Sequence, residues 1–124
     1  MIARRPFAVA VLSAAALTGA AATALAHSEV ESTSPRAGGT ATTAVTKVTV
    51  TFSGPMRTGT IRVTGPGGAV VSRGRGGRDP RNVNRLTVAL KGGLKAGSYK
   101  ASWTSEAADG HDQRGSFRFK LRAR

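Results

Sequence analysis

From Val45 to Leu121, apolar and polar side chains alternate with a period of two, and Gly or Pro interrupts the pattern at short intervals. Period two is the signature of a half-buried strand, because successive side chains point to opposite faces. In Val45–Phe52, the residues Val48, Val50 and Phe52 fall on one side with Thr or Lys on the other, and Ser53-Gly54-Pro55 ends the run. Thr60–Thr64 alternates again up to Gly65-Pro66-Gly67-Gly68, a strong turn signal. Ala69–Ser72 reads as a short strand and Arg73–Asn82 (RGRGGRDPRN) as a polar, flexible loop. Arg85–Leu90 then puts Leu86, Val88 and Leu90 on one face. Ser98–Thr104 turns Tyr99, Ala101 and Trp103 inward, a loop spans Ser105–Gly115, and Ser116–Leu121 is the last strand, with Phe117, Phe119 and Leu121 inward. No stretch carries a helical period. Roughly six or seven short strands with regular turns predict an all-β domain, a small Greek-key β-sandwich, with a closed barrel as the alternative. No repeat and no second domain is visible.

The segment ahead of this pattern has a different character. Met1-Ile2-Ala3-Arg4-Arg5 is followed by an apolar run from Phe7 to about Leu25 that closes on Ala24-Leu25-Ala26. A charged start, an apolar middle and an A-x-A end in that order read as a signal peptide over residues 1–26. The run is weakly hydrophobic, and its end argues for removal rather than for a retained membrane span. Arg4-Arg5-Pro6-Phe7 partly resembles a twin-arginine export signal, although paired arginines also occur in ordinary leaders. The expected mature chain, residues 27–124, is a periplasmic or secreted domain with no further apolar run. It is long enough for one core and too short for two.

Composition narrows the chemistry. The chain has no cysteine, so an exported domain of this size relies on its core without a disulfide, and neither a thiolate metal site nor a thiol nucleophile is possible. Of the 19 Lys and Arg residues, Arg4 and Arg5 precede His27, which leaves 17 against 6 Asp and Glu. Such a surface attracts polyanions. Its charges are scattered and its aromatics are few, which argues against stacking on bases and so against nucleic acid as a partner.

Cleavage after Ala26 would place an α-amine and an imidazole on one residue, His27, where the amine and the ring Nδ1 can close a six-membered chelate. The only other histidine is His111, in Asp109-Gly110-His111. Residues i and i+2 in an extended loop can point the same way, so Asp109 and His111 can converge on one ion. Three nitrogens and a carboxylate without sulfur suit Cu(II), which favours tetragonal nitrogen and oxygen ligation. On the residues alone, His111 reads equally well as an exposed loop histidine and Asp-Gly as a tight turn.

The stretch His27-Ser28-Glu29-Val30 through Pro35-Arg36-Ala37-Gly38 resembles the opening of CopC-type copper-resistance proteins, which begin with histidine and run into such a turn. Phe52-Ser53-Gly54-Pro55 looks like that family's Phe-Ser-x-Pro strand end. Gly97-Ser98-Tyr99, Trp103, Ala108-Asp109-Gly110-His111 and Gly115-Ser116-Phe117-Arg118-Phe119 look like its C-terminal half. The resemblance spans nearly the whole mature chain. It implies an exported Greek-key β-sandwich of cupredoxin- or immunoglobulin-like build that binds one Cu(II) per chain. The ligands would be His27 (amine and ring), Asp109 and His111. It also implies a monomer that carries or buffers copper, with a membrane copper transporter among its expected partners. Two departures stand out. Some members carry a methionine-rich Cu(I) site, whereas the mature chain has only Met56, expected in a turn or the core. Asp112 follows the Asp-Gly-His where the family commonly has proline.

No enzyme is expected. Ser34, Ser53 and Ser105 have no distinguishing context, both histidines are assigned to a metal, and Glu106 with Asp109 lies on one short loop with no partner segment. The other reading is a basic extracytoplasmic domain that binds an anionic surface or partner and has no metal role.

Overall fold

The computed structural model describes residues 28–124, so the expected signal peptide and His27 lie outside the described residues. Eight strands follow in chain order: β1 (Val30–Ser34), β2 (Thr40–Thr42), β3 (Lys47–Phe52), β4 (Met56–Thr64), β5 (Ser72–Asp79), β6 (Asn82–Leu90), β7 (Gly97–Ala107) and β8 (Asp112–Arg122). They form two four-stranded sheets, β1-β3-β6-β5 and β2-β8-β7-β4. Strands distant in sequence lie side by side, as β3 with β6 and β4 with β7, which is the Greek-key arrangement. All the pairings are antiparallel except β2 with β8. The open β-sandwich is therefore the architecture, not the closed barrel.

The period-two pattern builds the core between the sheets. Val48, Val50 and Phe52 of β3, Ile61 and Val63 of β4, and Leu86, Val88 and Leu90 of β6 are buried. Packed with them are Tyr99, Ala101 and Trp103 of β7 and Phe119 and Leu121 of β8, which share the second sheet with β4 and face β3 and β6 across the core. Met56 is 1 % exposed and belongs to this core. Phe117 is only partly buried. Phe52 and Trp103 meet edge to face with centroids 5.1 Å apart. Trp103 fits because its partner on β8 is Gly115, where a Cβ would stand 2.5 Å from the indole. The Tyr99 hydroxyl donates to the Lys95 carbonyl at 2.6 Å and accepts the Lys95 amide at 3.1 Å, pinning the chain where it enters β7.

The polar stretch Arg73–Asn82, expected to be a loop, is instead most of strand β5 and its turn into β6. Its glycines hide the strand pattern. Gly74 and Gly76 take positive φ (67° and 70°), and the pairing with β6 slips between Arg73 and Gly77. Gly76 lies so close to β6 that a Cβ would stand 2.4 Å from the Thr87 carbonyl oxygen. This is an edge strand with little inward hydrophobic surface, so hydropathy does not reveal it.

Asp79 closes this hairpin. Its Oδ1 accepts the Arg81 amide at 2.8 Å, and its Oδ2 lies 3.5 Å from Arg85 Nη1. The Arg85 Nε in turn reaches Thr51 Oγ1 on β3 at 3.2 Å. The Arg81 amide hydrogen bond, helped by the Arg85 charge, holds the Asp79 carboxyl below its ordinary value against the opposing effect of burial. A depressed folded-state value adds stability above the unfolded carboxyl pKa, about 3.9, that is lost as pH falls through the folded value. Asp79→Asn should therefore be less stable than the parent at pH 7, and the gap should close at acid pH. Urea melts at both pH values test this, and a gap independent of pH would dismiss the charge as the cause.

Candidate metal centre

Strands β7 and β8 pair in register from Gly97↔Leu121 to Glu106↔Asp112, and the four residues Ala108-Asp109-Gly110-His111 between the end of β7 at Ala107 and the start of β8 reverse the chain. Gly110 donates its amide to the Ala107 carbonyl at 2.9 Å and takes φ 95°, a left-handed conformation that favours glycine. The Ala107 amide closes the turn on the His111 carbonyl at 2.9 Å. Because the strands run on to Ala107 and start again at Asp112, the expected loop Ser105–Gly115 contracts to this turn.

Asp109 and His111 meet at its tip. One carboxylate oxygen, Oδ1, accepts the His111 amide at 3.0 Å, and the other, Oδ2, lies 3.1 Å from His111 Nδ1. The side chains are 44 % and 57 % exposed, accessible from solvent yet held in one mutual orientation. Two donors about 2 Å from one ion at a right angle lie about 2.9 Å apart. The separation of Nδ1 and Oδ2 is close to that. The contact that orients the ring thus also sets Nδ1 and Oδ2 at a spacing that one ion could use.

The turn is fixed from outside the hairpin as well. Pro55 offers its carbonyl to the Ala108 amide at 3.0 Å. Arg57 donates to Glu106 Oε2 at 3.1 Å and to the Ala108 carbonyl at 3.2 Å. Glu106 is thus committed to Arg57, and Asp109 turns to His111, so the two carboxylates serve different partners.

The corner Ser53-Gly54-Pro55 also receives the start of the described chain. Glu29 and Ser53 exchange two hydrogen bonds, the Glu29 amide to Ser53 Oγ at 2.9 Å and the Ser53 amide to the Glu29 carbonyl at 2.8 Å. Ser28 Oγ sits against Gly54, where a Cβ would come within 2.6 Å of it. The residue that follows His27 and the Asp-Gly-His turn are therefore both anchored to one corner of the sandwich. Beneath it lie Phe52, Met56, Trp103 and Ala107, all buried.

Of the three expected metal residues, the structure brings Asp109 and His111 together, and the third, His27, lies outside the described residues. Among the described residues no third His, Cys, Asp or Glu joins them. The Pro55 carbonyl and the Arg57 clamp were not anticipated from sequence. Only Arg57's place just after Phe-Ser-Gly-Pro marks it out, and nothing local ties it to a turn 51 residues away.

Comparison with known proteins bears on the fold and the lineage. The family model described as CopC domain matches residues 30–122. The chain is 28% identical over 99 residues to Protein YobA of Escherichia coli (strain K12), covering 78% of this chain and 80% of that one. Among solved structures, CopC from Methylosinus trichosporium OB3b aligns with a TM-score of 0.66 at 22% identity, over 78% of this chain and 95% of its own. PcoC from Escherichia coli, a methionine-rich copper resistance protein, aligns with a TM-score of 0.64 at 21% identity, over 78% of this chain and 100% of its own. At that identity the two structures speak to the β-sandwich fold alone.

Proposed function

Because the chain belongs to the CopC domain family, we propose that it binds one Cu(II) ion and carries or buffers copper outside the cytoplasm. The Asp109–His111 pair is the observation that carries this reading, since it presents an imidazole nitrogen and a carboxylate oxygen 3.1 Å apart on an exposed turn. The remaining ligands are the α-amine and ring nitrogen of His27, made available by processing after Ala26. Ser28, the residue that follows His27 in the chain, is anchored beside the corner that holds Ala108. The Arg57 clamp and the Pro55 carbonyl hold the turn still while the ion enters and leaves. A membrane copper transporter is the expected recipient.

This donor set has no sulfur. The described methionine, Met56, is packed into the core with its sulfur withdrawn from solvent. A soft ion wants thiolates or several thioethers, so the site selects Cu(II) over Cu(I). Native mass spectrometry of the exported protein should show a chain beginning at His27 that retains one Cu(II) and surrenders reduced copper to a Cu(I)-specific chelator. Cu(I) held as tightly as Cu(II) would point to a different site. Failure to bind copper at all would defeat the reading.

A further inference from the structure

The outer face of the β2-β8-β7-β4 sheet has a charge pattern that copper binding does not require. The alternation that turns Phe119 and Leu121 inward turns Arg114, Arg118, Lys120 and Arg122 of β8 outward, all exposed. Arg62 of β4 and Lys100 of β7 join them on the same face by register, Arg62 opposite Ser102 and Lys100 opposite Arg118. Among the described residues, none of these six cations forms an ion pair with a carboxylate. The carboxylates of this face, Glu106 and Asp112, stand opposite each other at its turn end, where Glu106 is held by Arg57. Like charges directly opposite on neighbouring strands repel, so the Lys100–Arg118 pair costs stability in the free protein and is relieved by an anion laid across it.

We propose that this face docks the protein on a bilayer carrying anionic phospholipid headgroups. β8, with 11 residues, extends about 35 Å, and four strands span about 15 Å, a flat patch that covers several headgroups at once. Hydroxyls of Ser98, Ser102 and Ser116 lie between the cations, ready to donate to phosphate oxygens. A structured protein partner would be held by buried aromatic or aliphatic anchors, and this face has none. The exposed large apolar side chains are Val30, Val70 and Val83, on β1, the β4–β5 connection and β6. Distributed charge without anchors suits a fluid headgroup layer, which adjusts to the cations instead of having to match them. Lying flat on this sheet, the protein leaves the β7–β8 turn at the rim, open to the side.

The test is co-sedimentation of the exported protein with vesicles of phosphatidylcholine alone or with about one-third phosphatidylglycerol, at low salt and at about 0.3 M salt. Binding should require the anionic lipid and weaken steeply with salt. Replacing Arg114, Arg118, Lys120 and Arg122 together by Gln should reduce vesicle affinity by about a hundredfold or more. Replacing Lys47, Arg73, Arg81 and Lys91, on or beside the other sheet, should change it no more than a few-fold. Thermal melts confirm folding, and if the first variant does not fold, Arg118→Gln with Arg122→Gln reads the same effect at smaller size. Equal losses in the two sets would reduce the binding to net charge and overturn the assignment. So would equal binding to neutral vesicles, or binding to an acidic polypeptide such as polyglutamate with none to anionic vesicles.

Discussion

A protein that keeps even one residue ahead of His27 should bind Cu(II) at least a hundredfold more weakly than one that begins at His27, with its melting temperature unchanged. The reason lies in the donor, not in the fold. An α-amine has a lone pair for the metal, whereas the same nitrogen inside a peptide bond is delocalised into the carbonyl and must lose an amide proton before it can bind. The amine and the ring of one residue also arrive already joined, so the second donor costs little further ordering. Extension removes both advantages and leaves the β-sandwich untouched, because the first strand begins at Val30. The loss should exceed the 10–100-fold typical of removing a partner that only orients a ligand. Competition titration against a chromophoric Cu(II) chelator, on processed and extended proteins side by side, measures it. Equal affinities would show that the amine is not a ligand and would remove His27 from the centre of the site.

The parts of this molecule that could be read in its sequence are those where burial writes a period. Val48-Val50-Phe52, Leu86-Val88-Leu90 and Tyr99-Ala101-Trp103 stood out as inward faces because every inward residue is apolar and nearly every outward one polar, and all nine are buried. Strand β5 stayed hidden because an edge strand rich in Arg and Gly is held by backbone pairing to β6, which hydropathy does not record. The short strands β1 and β2 were hidden for a related reason: one carries exposed polar residues, and the other has only three residues pairing with β8. The Asp-Gly-His turn was legible because the carboxylate, the turn glycine and the imidazole are adjacent in sequence. Its supports were not, because the Pro55 carbonyl is a backbone group and Arg57 reaches across from β4. Contacts of that kind depend on the Greek-key topology, which brings the end of β3, the start of β4 and the β7–β8 turn to one corner.

His111→Ala should lower Cu(II) affinity by more than a hundredfold, and Asp109→Ala by roughly 10–100-fold. In the proposed site His111 supplies a nitrogen, which water replaces poorly on copper. Asp109 supplies an oxygen, which water replaces more easily, together with the two contacts at 3.0 and 3.1 Å that orient His111. Removing the carboxylate therefore costs one weak ligand and the aim of a strong one. In both variants the hairpin should still form, since the Gly110 and Ala107 backbone bonds that close it do not involve either side chain. The same arrangement fixes the sign of the pH dependence. Copper competes with protons for the imidazole nitrogens and the α-amine, so affinity should fall as pH drops and protons should be taken up as copper leaves. Lipid docking by arginine and lysine should respond to salt and hardly to pH over the same range, because those side chains keep their charge. Titrating copper at pH 5 and pH 7.5, each at two salt concentrations, separates the two kinds of binding on one sample. Copper affinity indifferent to pH would mean that neither histidine holds the ion. An affinity in His111→Ala equal to the parent's would place the site away from this turn.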